Sequence, residues 1–166
     1  MQNVASLGDY AANAGAQYDT GMVTDSEDPA QAFGRYNPAT AGPLFSGSKI
    51  GLNSVSDGLS KTIAIGERHI HPIPPGTPYD MQNYMQDDTA FLSGDQPRTV
   101  LAGALGGIAT GPLDTGVAKF GSNHLGVTQF VYLDGHVATL SDYITDNAFL
   151  ALCTIAGGEP VSIDGY

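Results

Sequence analysis

One short stretch near the C-terminus, residues 127–140, constrains the fold more than any other part of the sequence. Residues 127–133 (VTQFVYL) alternate between two sets of side chains with a period of two, which is typical of a half-buried strand. Asp134 and Gly135 follow, and this pair favours a two-residue hairpin turn because both positions tolerate positive φ. Residues 136–140 (HVATL) are the expected returning strand. The sequence therefore predicts a β-hairpin and an antiparallel sheet around it.

A second strand is predicted upstream of the hairpin. Residues 61–67 (KTIAIGE) also alternate, so Ile63 and Ile65 are expected to share one face of that strand. Residues 8–15 fit a short strand and a short helix equally well, because periodicity does not decide between them. Residues 99–105 fit one more strand.

A short helix is predicted after the hairpin. Thr145 or Asp146 can cap its N-terminus, and the helix then runs to about Ala156, where two glycines stop it. Cys153, the only cysteine of the chain, falls on its apolar face. We therefore expect this thiol to be buried and unreactive.

The length of 166 residues, 42% of them apolar, fits one globular domain that spans residues 1–166. Its 22 glycines and 10 prolines indicate many turns and a loop-rich surface. The expected fold is α+β, with an antiparallel β-sheet, a short C-terminal helix and long loops.

The charge is one-sided, with 17 acidic residues against 6 basic ones and a formal net charge of -11. Such a surface repels nucleic acid and anionic lipid, because phosphate binding depends on Lys and Arg. Cations are the natural small partners, although an acidic surface also simply keeps a protein in solution. No segment reaches the roughly 18 apolar residues that span a membrane, and no signal peptide opens the chain. We expect no membrane contact by the chain as given.

The usual signatures of catalysis are missing from the sequence. There is no Gly-x-Ser-x-Gly elbow and no glycine-rich loop followed by a phosphate-binding lysine. We therefore expect a protein that is not an enzyme. The alternative is a metal-dependent hydrolase that uses His69, His71 and an aspartate.

His124, Asp134 and His136 are the polar residues of the hairpin segment. His124 precedes the turn by about nine residues of strand, and at roughly 3.3 Å per residue it lies about 30 Å from the turn. One flat hairpin therefore cannot bring His124 and Asp134 together. We expect His124 to anchor the strand entrance by hydrogen bonds and Asp134 to shape the turn.

A second polar group follows the predicted strand of residues 61–67. His69 and His71 would share one face if that strand continued, and a His-x-His pair on a strand can bind zinc or copper. Prolines follow at once, which favours a loop there. Glu67 and Arg68 end an apolar strand and are expected in a buried or partly buried ion-pair network.

The loop of residues 79–96 is the candidate calcium site. Carboxylates in a flexible loop suit calcium, and a bound ion would order the loop, although solvated acids are the simpler explanation. The same loop holds Tyr79 and Tyr84, which permit a glycan-binding module or merely cover the core. The candidate calcium ligands are Asp80, Asp87, Asp88 and Asp95.

Four blocks occur along the chain in a fixed order. They are residues 55–68 (VSDGLSKTIAIGER), an acidic segment from Asp87 to Arg98, residues 120–127 with 134–137 (spacing His-x9-Asp-Gly), and residues 151–159 (ALCTIAGGE). In these blocks the chain resembles the planctomycete-type prepilin-like proteins. The resemblance marks the following as structural motif residues: Glu67, Arg68, Arg98, His124, Asp134 and Gly135.

The resemblance implies a type II secretion pseudopilin or type IV pilin-like architecture, in which a long N-terminal helix carries a β-sheet head. It also implies export and assembly with other pilin-like subunits or with cell-surface components, and it supplies no catalytic residues. The leader and the hydrophobic assembly helix do not occur in the sequence as given, so we expect either a head from which the helix was removed or a member that works without it. Its expected location is extracytoplasmic: the periplasm, the cell surface or the medium.

Overall fold

The computed structural model describes residues 8–16, 37–45, 48–70, 72, 75–76 and 100–158. In chain order these form β1 (Tyr10–Asn13), two 3-10 helices (Leu52–Ser54 and Leu59–Lys61), β2 (Ile63–Glu67), β3 (Leu101–Ala102), β4 (Val127–Tyr132), β5 (Val137–Ser141) and the helix α1 (Asp146–Cys153). The strands make one five-stranded sheet in the order β3-β1-β2-β4-β5, antiparallel throughout except where β1 pairs with β3. The α+β expectation, with an antiparallel sheet and a short C-terminal helix, is confirmed.

The hairpin of β4 and β5 lies where the sequence places it, but its turn is of another kind. The Tyr132 N–H donates to the His136 carbonyl at 3.0 Å, and the Gly135 N–H donates to the Tyr132 carbonyl at 2.9 Å. Gly135 has a φ of 90°. Asp134 has a negative φ, and Ala118 is the only non-glycine residue with a positive φ in the described ranges. The connection is therefore a three-residue loop that ends in a left-handed glycine. The predicted two-residue turn is wrong. The Asp134 carboxylate stabilises the three-residue loop, because it accepts the His136 N–H at 3.1 Å.

A β-bulge separates the two isoleucines of β2. The register between β2 and β4 shifts between Ile63 and Ile65. Ile63 is fully buried while Ile65 is 39% exposed, so the prediction that they share one face is wrong. A bulge adds one residue and reverses the alternation beyond it. Gly66 therefore faces the core, where a Cβ atom would lie 2.5 Å from the Phe130 ring.

Three phenylalanines form the centre of the core between the sheet and α1. Phe120, Phe130 and Phe149 are each at most 1% exposed. Their ring centroids lie 5.4 to 6.0 Å apart in edge-on or tilted arrangements. Such pairs contribute about 0.5–1.5 kcal/mol each beyond the area they bury. Phe149 thus fixes α1 against the sheet.

The helix α1 begins as predicted and ends early. The Thr145 hydroxyl accepts the Ala148 N–H at 3.4 Å as an N-cap. The helix ends at Cys153 and not at Ala156, because Thr154 is extended. Cys153 is fully buried as expected, and burial raises the pKa of its thiol far above its ordinary value.

The extended exit from α1 serves the core and the neighbouring loops. The Ile155 side chain is fully buried, its N–H donates to the Ala41 carbonyl at 3.1 Å, and its carbonyl accepts the Ser56 N–H at 2.9 Å. A continued helix would forfeit these three contacts.

No helix within the described part of the chain combines the length and the apolar character that crossing a bilayer requires.

A fully buried asparagine ties β1, β2 and α1 together. The Asn13 amide nitrogen donates to the Ile63 carbonyl at 2.7 Å and to the Cys153 carbonyl at 2.8 Å. Its amide oxygen accepts the Gly15 N–H at 2.9 Å. A buried amide is tolerable when its donors and acceptor are paired in this way. The N-terminal strand is thereby locked to the C-terminal helix.

Candidate functional site

An open cleft of about 270 Å³ lies where the central strand β2 ends, at the end of the sheet away from the hairpin turn. Its walls come from the start of β1 and the residue before it, from the end of β2 with the residues that follow, and from the loop that leads into β4. The lining residues are Asp9, Tyr10, Glu67, Arg68, His69, Ile70, Gly121, Ser122, Asn123 and His124.

Backbone hydrogen bonds hold the chain beyond β2 from both sides. The Arg68 N–H donates to the Asp9 carbonyl at 2.8 Å. On the other side, the His69 N–H donates to the Lys119 carbonyl at 3.1 Å, and the Gly121 N–H donates to the Glu67 carbonyl at 3.0 Å. The floor of the cleft is therefore rigid, with Arg68 and His69 each only 6% exposed.

Glu67 and His124 face each other across this cleft. The His124 Nε2 atom lies 3.2 Å from one Glu67 carboxylate oxygen. The other oxygen accepts the backbone N–H of Gln129, in β4, at 2.7 Å. The Glu67 side chain is 16% exposed and that of His124 is 58% exposed, so one partner is anchored and the other reaches solvent. The last residue of β2 thus holds both β4 and the loop before it.

The loop that carries His124 is closed by one serine. The Ser122 hydroxyl donates to the Val127 carbonyl at 2.7 Å and accepts the His124 N–H at 2.9 Å. Gly126 completes the loop with a φ of 74°. Short polar side chains commonly stabilise tight loops through such bonds to the backbone. His124 is therefore positioned by its own loop as well as by Glu67.

His69 is committed to a structural contact. Its Nε2 atom lies 2.7 Å from the backbone carbonyl of Asp114. A carbonyl oxygen only accepts, so Nε2 carries the hydrogen and has no lone pair for a metal in this arrangement. His71, the other half of the predicted zinc or copper pair, lies outside the described residues. Within the described ranges no group of three or more potential metal ligands is assembled.

Asp114 stiffens the loop that receives His69. Burial tends to raise the pKa of its carboxyl, but hydrogen bonds from the Gly116 N–H, the Lys119 ammonium and the Thr110 N–H hold the pKa below its ordinary value. The Lys119 contact is 3.1 Å long. This aspartate therefore acts as an acceptor for its own loop.

Asp134 and His136 form a separate pair at the hairpin turn. The His136 Nδ1 atom lies 2.6 Å from an Asp134 carboxylate oxygen. The imidazole stacks on the Tyr132 ring, with centroids 4.3 Å apart and 12° between the planes. The structure thus brings Glu67 to His124 and Asp134 to His136. It does not bring His124 to Asp134.

The remaining predicted site residues lie outside the described ranges. These are the candidate calcium ligands Asp80, Asp87, Asp88 and Asp95, the motif residue Arg98, and the tyrosines Tyr79 and Tyr84. The calcium and loop-based glycan hypotheses stay predictions.

Two carboxylates have roles that the sequence pattern did not indicate. Asp57 accepts the N–H groups of Gly157 at 2.8 Å and Gly158 at 3.3 Å, which joins the first resemblance block to the last. Asp142 is 5% exposed and accepts the Thr128 hydroxyl at 2.7 Å. The only sequence signal at Asp57 was its Asp-Gly turn pair.

Comparison with protein families decides where the chain belongs. The SBP_bac_10 family model, described as "Protein of unknown function (DUF1559)", matches residues 2–147. The chain belongs to this family. It is a family of planctomycete-type prepilin-like proteins, so the resemblance seen in the sequence is confirmed at that level. Searches of curated proteins and of solved structures give no match.

In this member of the DUF1559 family, polar contacts connect the sequence blocks that carry the resemblance. The pair of Glu67 and His124 connects the first and third resemblance blocks, and the bonds of Asp57 connect the first and fourth. Residues that are distant in sequence thus meet as hydrogen-bonded joints between elements. The His-x9-Asp-Gly spacing stays a prediction as a family signature.

Proposed function

We propose that the chain is the extracytoplasmic head of a pilin-like subunit and that it acts by assembly or surface binding, without catalysis. The observation that carries this proposal is the match of residues 2–147 to a prepilin-like family. The partners we propose are other pilin-like subunits or cell-surface components. A role next to type II secretion pseudopilins is the finer form of the same proposal.

The use of the polar motif residues supports this proposal. Glu67, His124 and Asp57 each bond to a backbone or side-chain group of another element. A general base or nucleophile must itself lie within reach of a substrate, and its own pKa must suit the task. The fully buried Cys153, whose pKa is raised, offers no thiolate. The motif residues therefore have a structural reason to occur in this chain.

Fractionation of cells of the source organism tests the proposal. An antibody raised against the chain should detect it in the periplasmic, surface or medium fraction. The coding sequence upstream of residue 1 should supply a prepilin leader and a hydrophobic helix. Detection in the cytosol alone, with no such upstream segment, would contradict the proposal.

Calcium binding by the acidic loop belongs to this proposal as a stabilising element. An ion that binds only the folded state raises stability by mass action. Thermal melts with calcium and with a chelator should therefore differ, and Asp87→Asn with Asp88→Asn should remove the difference. Equal melting temperatures in both buffers would dismiss calcium while leaving the assembly function untouched.

A saccharide-binding module is the second candidate, and the cleft at the end of β2 favours it. Tyr10 is 66% exposed and lines the cleft beside Glu67 and His124. An exposed aromatic ring next to hydrogen-bonding side chains suits the apolar face and the hydroxyls of a sugar. Saturation-transfer NMR with free hexoses should then show contacts that Tyr10→Ala abolishes and Tyr143→Ala, at another exposed tyrosine, leaves intact. No transfer to any hexose would remove this candidate.

A further inference from the structure

The cleft at the end of β2 holds an aromatic ring and a carboxylate side by side. Tyr10 in β1 lies directly opposite Glu67 in β2 in the antiparallel register. Side chains of directly opposed residues stand on the same face of a sheet, with Cβ atoms about 4.5–5.5 Å apart. Both residues line the cleft, and Tyr10 is 66% exposed. A ligand in the cleft can therefore contact the ring and the carboxylate together.

The Glu67 carboxylate keeps hydrogen-bonding capacity for such a ligand. One oxygen accepts the Gln129 N–H at 2.7 Å, and the other lies 3.2 Å from the His124 Nε2 atom. A carboxylate offers about four lone-pair positions, so these two contacts do not exhaust it. The contact to His124 is also longer than the roughly 2.7–2.9 Å of a strong charge-assisted bond. The first contact orients the carboxylate, and the second leaves an oxygen on the side of the exposed imidazole.

The charges of the cleft favour a positively charged ligand. Asp9 and Glu67 both line it, and Arg68 supplies the only Lys or Arg side chain among its lining residues, all of which lie in the described ranges. Asp9 is exposed, whereas Arg68 is only 6% exposed. Carboxylates thus outnumber the fixed cation, and the cation is the less accessible group. The net charge of -11 adds a long-range attraction for cations.

We propose that the cleft binds an amino sugar through its protonated amine. The ammonium bonds the Glu67 carboxylate beside the Tyr10 ring, whose quadrupole also attracts a cation. The same ring packs against the apolar face of the sugar. This inference rests on the saccharide-binding candidate and names the class of its ligand. It does not depend on the pilin-like function.

The size of the cleft limits the ligand. Its volume of about 270 Å³ is close to the lower end of the range for small-molecule sites, which is roughly 300–1,000 Å³. A single sugar ring suits this volume better than an extended chain. Because the cleft is open, its polar contacts stay partly solvated, and the expected Kd is on the order of 1 mM.

NMR titration of the chain with three free sugars tests the charge of the ligand. Glucosamine carries an ammonium group, glucose is neutral, and glucuronic acid carries a carboxylate. Glucosamine should bind about tenfold more tightly than glucose at low salt, and glucuronic acid should bind most weakly. High salt should reduce the preference, because it screens exposed charges. Equal affinities for glucosamine and glucose, or a preference for glucuronic acid, overturn the inference while the saccharide candidate stands.

Variants of the two carboxylates locate the ammonium site. Glu67→Gln keeps a side-chain oxygen for the Gln129 N–H, so it should fold, as circular dichroism can check, and lose most of the preference for glucosamine. Asp9→Asn changes an exposed residue and should lose part of it. Asp134→Asn, at the hairpin turn, removes one negative charge elsewhere and is the matched control, which should keep the preference. A preference that survives in Glu67→Gln, or that falls equally in all three variants, contradicts the proposed site.

Titrations in which none of the three sugars binds overturn the inference together with the saccharide candidate. The fractionation of cells still tests the pilin-like function, because that experiment does not involve the cleft. Loss of the glucosamine preference in Glu67→Gln, with the preference kept in Asp134→Asn, is the result that supports the inference.

Discussion

A carboxylate–histidine pair lies at each end of β4, and the two pairs make different kinds of contact. Glu67 meets His124 at the start of β4, where the carboxylate is 16% exposed and also binds the N–H of Gln129. Asp134 meets His136 at the hairpin turn, where the carboxylate is 35% exposed. The first pair joins segments that are distant in sequence. The second stays within one turn.

Polar contacts stabilise this fold most where they join elements that are distant in sequence. Glu67 lies at the meeting point of β2, β4 and the loop that carries His124, so its loss would leave a backbone N–H of β4 without its acceptor. The loss of Asp134 would leave exposed groups that water can satisfy. The Glu67 carboxylate is the less exposed of the two and bonds a backbone N–H of another strand, so its loss should cost more.

The largest effect is therefore expected for Glu67→Ala. It should lower the free energy of unfolding by about 1–3 kcal/mol, measured by urea denaturation, because the Gln129 N–H loses its acceptor. Glu67→Gln keeps an oxygen for that N–H and should lose less. Equal losses in Glu67→Ala and Asp134→Ala would contradict the different roles of the two pairs.

Asp142→Asn should act in the opposite direction. Burial raises the pKa of Asp142, the Thr128 hydrogen bond opposes this, and the nearby Glu67 charge adds to the rise. Removing the buried charge should stabilise the fold at neutral pH by about 1 kcal/mol, while the Asn oxygen still accepts the Thr128 hydroxyl.

The gain from Asp142→Asn depends on pH. Because the pKa is raised on folding, the folded state binds the proton more readily than the unfolded state. The wild type is therefore relieved of the unfavourable charge as pH falls from the folded pKa toward the ordinary value. The gain from Asp142→Asn, seen in thermal melts, should shrink over that window. Asp146→Asn, at the exposed start of α1, should bring no gain, since a negative charge there is favourable.

His124→Ala should have a smaller effect than Glu67→Ala. Its side chain is 58% exposed, and the Gln129 N–H keeps its Glu67 acceptor when His124 is removed. A contact of this exposure contributes about 0–1 kcal/mol. The double variant with Glu67→Ala should cost little more than Glu67→Ala alone, because both remove the same contact. Additive losses would show that His124 acts through another group.

The elements that could be predicted from the sequence are those that depend on residues close together in the chain. The hairpin follows from the alternation of residues 127–133 and an Asp-Gly pair, and the helix start follows from the capping hydroxyl of Thr145. Both signals lie within a few residues of the structure they encode. The helix end could not be predicted because it depends on residues distant in sequence. The backbone of Ile155 bonds Ala41 and Ser56, and its side chain lies in the core.

The contacts that shape the cleft could not be read from spacing. His124 lies on a different element from Glu67, and which carboxylate it meets depends on the order β1-β2-β4 in the sheet. The bulge that separates Ile63 from Ile65 likewise depends on the register with β4. Sheet order and register are set by packing of the phenylalanine core. No pattern within one strand reports them.

Asp134→Ala should have the smallest effect. The N–H of His136, followed by its imidazole, holds the pKa of Asp134 below its ordinary value. A carboxyl with a lowered pKa contributes stability above its unfolded pKa and loses it as pH falls through the folded pKa. Thermal melts of the variant and the wild type should therefore differ slightly at neutral pH and converge as the pH falls below the folded pKa of Asp134. Asp134→Asn keeps the oxygen that bonds the His136 N–H and should shift the melt even less. A loss as large as that of Glu67→Ala would mean that the turn helps to hold the sheet together.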